Sequence, residues 1–152
     1  MQYKIHVSKD NAGYIAMCHE LPNFVATSPD LDGLSRMAVK NLTLIVGSHL
    51  SMGKAIPEGA ITLDPDNVWY PPLCIRLKVA VSNTLIQKGW SREDFARAMD
   101  LTPASMNNFF NIDVSTRLMT FDKAFQTLGL YPHLKITASP GELSLVHPAA
   151  RQ

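Results

Sequence analysis

Residues able to do chemistry gather in two places in this chain. The first is the run Thr102, Ala104, Ser105, Asn107, Asn108 and Asn111, in which Met106 and Phe109 recur at helical spacing on the opposite side. If Met106 and Phe109 point inward, the others line one exposed helix face. An Asn amide there can bond adenine in the DNA major groove, and Ser or Thr can bond bases or phosphates. The plain alternative is a solvated face, since any exposed helix carries polar residues. No Lys or Arg lies between Asp100 and Arg117, so phosphate affinity has to come from Arg92, Arg97 and Arg117 and from pairing two copies.

The second place is Cys18-His19-Glu20, whose residue types suit a nucleophile or a metal ligand. Neighbours on a strand face opposite sides, however, so the three do not converge. The five His are scattered. Metal-dependent nuclease chemistry needs carboxylates clustered at strand ends, where only Glu20 stands; Asp30 and Asp32 read as helix-start charges. The expectation is no catalytic residue, no metal site, no cofactor, and no enzyme. Phe24, Trp69, Tyr70, Phe109 and Phe110 read as core more than as stacking platforms for RNA.

Composition sets the outer bounds. A chain of 152 residues, 46% hydrophobic and 18% charged, with net charge +1, can bury a core and excludes bulk disorder and bulk basicity. Apolar stretches such as residues 42–46 fall far short of the roughly 20 residues that span a bilayer. Residues 1–20 carry Lys4, Lys9, Asp10 and Glu20 without an apolar core or cleavage site, so no signal peptide is expected. Two distant cysteines, Cys18 and Cys74, make no disulfide framework, and a reduced, cytoplasmic protein that avoids membranes is the default. Residues 1–70 net −2 and residues 71–152 net +3, a split that suits a cationic protein partner at one end and DNA at the other.

The elements that would position these residues fall into two halves. Residues 2–8 alternate Tyr3, Ile5 and Val7 against Gln2, Lys4, His6 and Ser8, which predicts a half-buried strand. A turn through Asn11 and Gly13 leads to a second strand over residues 14–20, and residues 24–27 make a third. A helix then starts with Ser28 as cap and Pro29 first, and carries Leu34, Met37, Ala38, Leu42, Ile45 and His49 on its apolar stripe, ending at Met52-Gly53. Residues 54–72 hold four prolines, with an extended piece at residues 68–70.

The second half reads as all-α. Residues 73–87 carry Leu77, Val81 and Leu85 at four-residue steps before Lys88-Gly89. Ser91 caps a short helix with Asp94 three residues on, and Trp90 and Phe95 hold the positions of a hydrophobic staple. The device returns with Thr102, Pro103, and the pair Leu101 and Met106. A further helix is expected from Thr120, burying Phe121, Phe125 and Leu128. Two short helices joined through Asp100-Leu101-Thr102 are a helix-turn-helix candidate; an ordinary helical hairpin is the alternative. Residues 130–138 are expected to form a short terminal strand, and residues 139–152, with Pro140, Gly141 and Pro148, a loose tail.

In order and spacing these pieces resemble the HicB antitoxin family. The resemblance runs from Met1-Gln2-Tyr3-Lys4-Ile5, Gly13-Tyr14-Ile15-Ala16 and Leu21-Pro22 to Leu77-Lys78-Val79-Ala80 and Ala124-Phe125-Gln126-Thr127-Leu128-Gly129, over roughly residues 1–137. It departs at Asn23 and at Ala26-Thr27-Ser28-Pro29-Asp30, where the family has Gly and a Gly-containing acidic turn. The resemblance implies an α+β chain. Residues 1–70 would form a small antiparallel sheet plus one helix, a degenerate RNase H-like domain that binds and blocks a HicA-type mRNA interferase toxin. Residues 71–138 would form a lambda-repressor-like helix-turn-helix domain that dimerises and binds double-stranded operator DNA, so that the antitoxin represses its own operon. It assigns no toxin-contacting residues. The alternative is a free-standing, phage-derived helix-turn-helix regulator without a toxin.

Overall fold

The structure is a computed structural model that describes residues 1–59, 66–134, 136 and 141–146. It is a mixed α+β fold of small antiparallel sheets and five helices among the described residues. The strands are β1 (Tyr3–Lys4), β2 (His6–Asp10), β3 (Gly13–Met17), β4 (Val25–Ser28) and β5 (Val68–Trp69). The helices are α1 (Leu31–Met52), α2 (Leu73–Lys88), α3 (Arg92–Ala98), α4 (Pro103–Phe110) and α5 (Leu118–Thr127).

The chain divides into two compact units. One comprises Met1–Ile45, Pro57–Pro72 and the C-terminal segment, and the other Val46–Ile56 with Leu73–Ile136. The sequence boundary at residue 70 lies close to one junction of these units. The last turns of α1, which share its apolar line, belong with the second.

In the first unit, the strand expected over residues 2–8 is two strands. β1 pairs antiparallel with β5, Tyr3 opposite Trp69, while β2 pairs with β3 and β3 with β4. The exchange happens at Ile5, whose N–H donates to the Asn67 carbonyl at 2.7 Å. A single alternating stretch thus serves two sheets, because Tyr3 and Ile5 both have to be buried while its two ends meet different partners. The β2–β3 turn is an Asx turn: Asp10 Oδ1 accepts from the N–H groups of Ala12 and Gly13 at 2.8 and 3.0 Å. Gly13 has φ +140°, and a Cβ there would lie 2.4 Å from the Ser28 carbonyl oxygen, so this position tolerates only glycine.

α1 starts later than its sequence suggests. Ser28 ends β4, and Asp30 takes the capping role, its Oδ1 accepting from Gly33 N–H at 2.7 Å. Asp outcompetes Ser here because a carboxylate also complements the helix dipole. The fully buried line of α1 is Leu34, Ala38, Leu42, Val46 and Leu50, at strict four-residue steps. Met37, expected on the stripe, is exposed instead. Around it Tyr3 stacks on Trp69 with ring centroids 5.7 Å apart, and the Tyr3 hydroxyl donates to the Pro57 carbonyl at 2.7 Å. Burial drives the phenol well above its ordinary range.

The chain end corrects another expectation. Residues 141–146 are not loose: Asn67 N–H donates to the Ser144 carbonyl at 3.1 Å and Tyr70 N–H to the Glu142 carbonyl at 2.8 Å. Residues 130–134 and 136 form no strand. The remaining positions of the expected strand and tail (135, 137–140 and 147–152) lie outside the described residues.

The second unit closes over Phe95, Met99, Met106, Phe109, Phe110 and Phe121, all buried. Each such side chain contributes about 1.5–3 kcal/mol by leaving water. α5 begins at Leu118, two residues ahead of the expected Thr120, with Arg117 at its N-cap and no side-chain cap. Gly47 of α1 admits the neighbouring chain closely: a Cβ there would stand 2.4 Å from Ile112 Cδ1.

Candidate nucleic-acid interface

Local chemistry sets the geometry of α3 and α4. Ser91 has extended backbone, and its Oγ accepts from Asp94 N–H at 3.0 Å. The same hydroxyl donates to Asp94 Oδ2 at 2.6 Å, and this bond holds the Asp94 carboxyl below its usual range. Of the two staple positions, Phe95 is fully buried, whereas Trp90 keeps 38% of its surface exposed. α3 closes through Met99, after which Asp100 takes φ +55° while Leu101 N–H returns to the Ala96 carbonyl at 2.9 Å. Asp is one of the few side chains that enters this left-handed region at modest cost.

Thr102 then opens α4, accepting from Ser105 N–H at 3.2 Å, with Pro103 in the first helical turn. Met106, Phe109 and Phe110 turn inward. The Phe109 ring meets Phe110 at 4.9 Å, Phe121 at 5.3 Å and Phe95 at 6.4 Å, which fixes α4 against α3 and α5. Thr102, Ala104, Ser105, Asn107, Asn108 and Asn111 are all exposed. They are not equally free. The Thr102 hydroxyl donates to Ser105 Oγ at 3.0 Å, and Asn111 Oδ1 accepts from Asp113 N–H at 2.9 Å. The Asn107 and Asn108 amides make no hydrogen bond among the described residues, so both present a full donor–acceptor pair to solvent.

Two depressions flank this face. One of about 190 Å³ lies between α3 and α4 beside Arg97, Met106 and Asn107. The other, of about 320 Å³, runs past Ser105 and Asn108 to Thr116, Arg117 and Thr120.

The cations divide in an unexpected way. Arg92, grouped with the phosphate-binding residues on sequence grounds, is turned inward. Its guanidinium donates to the Leu50 and Ser51 carbonyls at the end of α1 and lies 4.3 Å from the centroid of the Phe110 ring. Burial lowers its pKa, and its charge is spent on the last carbonyls of a helix, where the dipole favours a cation. Arg97 is exposed and pairs with Asp94 on its own helix. Arg117 is exposed at the start of α5. Of these three arginines, Arg97 and Arg117 face water.

One side chain that positions this face escaped sequence reasoning. Lys78 of α2 is completely buried, and its Nζ donates to the Asn111 and Val114 carbonyls at 2.5 and 2.6 Å. Both carbonyls follow α4 directly, so this one cation pins the C-terminal end of the exposed Asn-bearing helix. Desolvation lowers its pKa, partly opposed by Cys74 and Asp113. The available signal was its phase: Ile75, Lys78, Ser82 and Leu85 recur on one buried line of α2.

The cysteine region is not poised for chemistry. Cys18 is buried, its thiol donates to Glu20 Oε2 at 3.2 Å, and burial raises its pKa to about 11. A protonated thiol is a poor nucleophile and a poor ligand. His19 is exposed and its ring meets that of His6 at 4.5 Å. Among the described residues no group of three or more His, Cys, Asp or Glu is arranged to hold a metal ion. No helix among them is long and apolar enough to cross a membrane.

No protein-family model matches the chain, and no curated protein matches it.

Proposed function

We propose that the second unit is a sequence-specific DNA-binding domain of the helix-turn-helix kind, with α4 as the reading helix. We further propose that the first unit binds and neutralises a basic, RNA-cutting toxin of the HicA kind, the whole being an autoregulating antitoxin. One observation carries the DNA reading: Asn107 and Asn108 stand exposed, without a hydrogen-bond partner among the described residues, on a capped helix whose other face is locked by Met106 and Phe109. Such a helix presents adenine-reading amides at fixed height and phase. Arg97 and Arg117 on its flanks supply phosphate contacts that orient it without reading sequence. So few cations imply two copies on paired half-sites about one DNA turn apart. The toxin assignment rests on the sequence resemblance and on the net charge of −2 over residues 1–70, which suits a cationic partner.

Selection of duplexes from a random pool by the full chain tests the first part. Enrichment of an inverted repeat is the expected result; an unenriched pool overturns it. Co-expression with a HicA-type toxin, taken from the neighbouring reading frame where one is encoded there, tests the second. Rescue of growth supports the antitoxin role, and toxicity unaffected by co-expression removes it, leaving a free-standing regulator.

A further inference from the structure

The open side of β5 is filled by the chain's own C-terminal segment, in a manner unlike an ordinary tail. Asn67 is the centre of the arrangement. Its carbonyl accepts from Ile5 on the β1 side, while its N–H donates to Ser144 on the other. Its side-chain amide grips one residue by both backbone groups: Val146 N–H donates to Asn67 Oδ1 at 2.6 Å, and Asn67 Nδ2 donates to the Val146 carbonyl at 3.5 Å. To do this Asn67 adopts φ +54° while buried, a conformation Asn tolerates better than most residues. Further along, Tyr70 N–H donates to the Glu142 carbonyl and the Trp69 indole N–H to Glu142 Oε1 at 3.3 Å. Ser35 Oγ from α1 donates to the Leu143 carbonyl at 3.2 Å.

The partner numbers fall as those of β5 rise, so the segment runs antiparallel, and it is read as a peptide is read in strand addition. Main-chain bonds supply the pairing, and a few side chains choose the sequence. Glu142 and Ser144 remain exposed, and Leu143, Leu145 and Val146 are only half-buried. Little apolar area holds the segment down, so its opening needs far less free energy than global unfolding.

We propose that the β5 edge is a strand-docking site, occupied here in cis by residues 141–146 and open to the same segment of a second copy of the chain. The second copy is the fitting occupant because it carries the identical glutamate and the same spacing of backbone groups from Glu142 to Val146 that Trp69 and Asn67 bind. Exchange of an identical element costs no native contact and gives a closed pair. Concentration decides between the two states, since the cis segment competes at its own effective concentration.

The test uses full-length chains in a Cys18→Ala, Cys74→Ala background, each checked for parent-like circular dichroism and tryptophan emission. One variant carries Tyr70→Cys, another Glu142→Cys, and a third both. Under mild oxidation at low concentration the doubly substituted chain should close an internal disulfide. Mixed singly substituted chains should give a covalent heterodimer whose yield rises with concentration, about tenfold above a control pair with Lys54→Cys in place of Glu142→Cys. Asn67→Ala in the accepting chain should return that yield to the control. Internal closure with heterodimer only at control level overturns the exchange and makes the segment a fixed part of one chain. Closure in neither arrangement overturns the docking site itself, as does full heterodimer yield with Asn67→Ala.

Discussion

Lys78 Nζ stands 2.5 Å from the Asn111 carbonyl, a fully buried ammonium bonded to the C-cap residue of α4. With its second bond to Val114, it joins α2 to the turn between α4 and α5. Ile112 of the same turn packs closely on Gly47 of α1. The direction in which α4 presents Asn107 and Asn108 therefore depends on a cation that itself never meets solvent.

Lys78→Met should separate these roles. Met keeps the volume and removes the charge, but it takes the ammonium donor from the Asn111 and Val114 carbonyls, a loss of about 2–4 kcal/mol in all. Urea unfolding should show that loss, and amide exchange should accelerate first at residues 112–117. Unchanged protection there would mean that the turn holds without the ammonium.

The first unit should lose stability at high pH. Folded Cys18 keeps its proton to about pH 11, against an ordinary thiol value of 9.0, and folded Tyr3 is likewise raised above 10.0. Above pH 9 the unfolded chain releases protons that the folded chain retains, so the stabilisation is complete below pH 9 and is lost as pH rises through about 11. Melting followed by Trp69 emission in a Trp90→Phe background should show a falling midpoint from pH 9 upward, and Cys18→Ala should flatten part of that slope. An identical slope in the Cys18→Ala chain would exclude the thiol as a source.

What was legible in the sequence was what is decided locally. The caps Ser91 and Thr102 act on N–H groups three residues away, and both stand where the pattern puts them. The outward phase of Asn107 and Asn108 follows from Met106 and Phe109 on the same turns of helix. The illegible features are long-range. Arg92 reaches carbonyls 41 and 42 positions away, and Lys78 reaches 33 and 36. Residue type gives no sign of such a partner: Arg92 and Arg117 look alike in sequence, and only packing separates an internal cap from a solvated charge. The hold on residues 141–146 was illegible for the same reason, since Gly141 suggests looseness while Asn67, more than 70 residues earlier, supplies the anchor.

Arg92 and Arg117 should accordingly behave as opposites. Arg117→Ala should weaken binding to every DNA sequence alike and reduce the salt slope by about 1, without changing the melting midpoint. Arg92→Ala should lower the midpoint, because it uncaps α1 and leaves Phe110 without its cation. A measurement in which Arg92→Ala reduces the salt slope at unchanged stability would return Arg92 to the DNA face.

Asn107→Ala, Asn108→Ala is the decisive pair for the proposed reading helix. Both side chains are exposed and neither is bonded among the described residues, so their truncation opens no cavity and strands no buried group. Stability should stay within about 0.5 kcal/mol of the parent. Each bidentate amide–adenine contact is worth about 1–3 kcal/mol of discrimination, and a symmetric pair of domains loses it twice. Preference for the selected duplex over random DNA should therefore fall by two orders of magnitude or more, while the salt-dependent affinity for random DNA stays as it was. Met106→Asp is the matching control, because a charge forced beneath α4 should unfold the second unit and abolish both kinds of binding. Competition titrations that find the double variant still choosing its duplex as the parent does would show that α4 is not the element that reads.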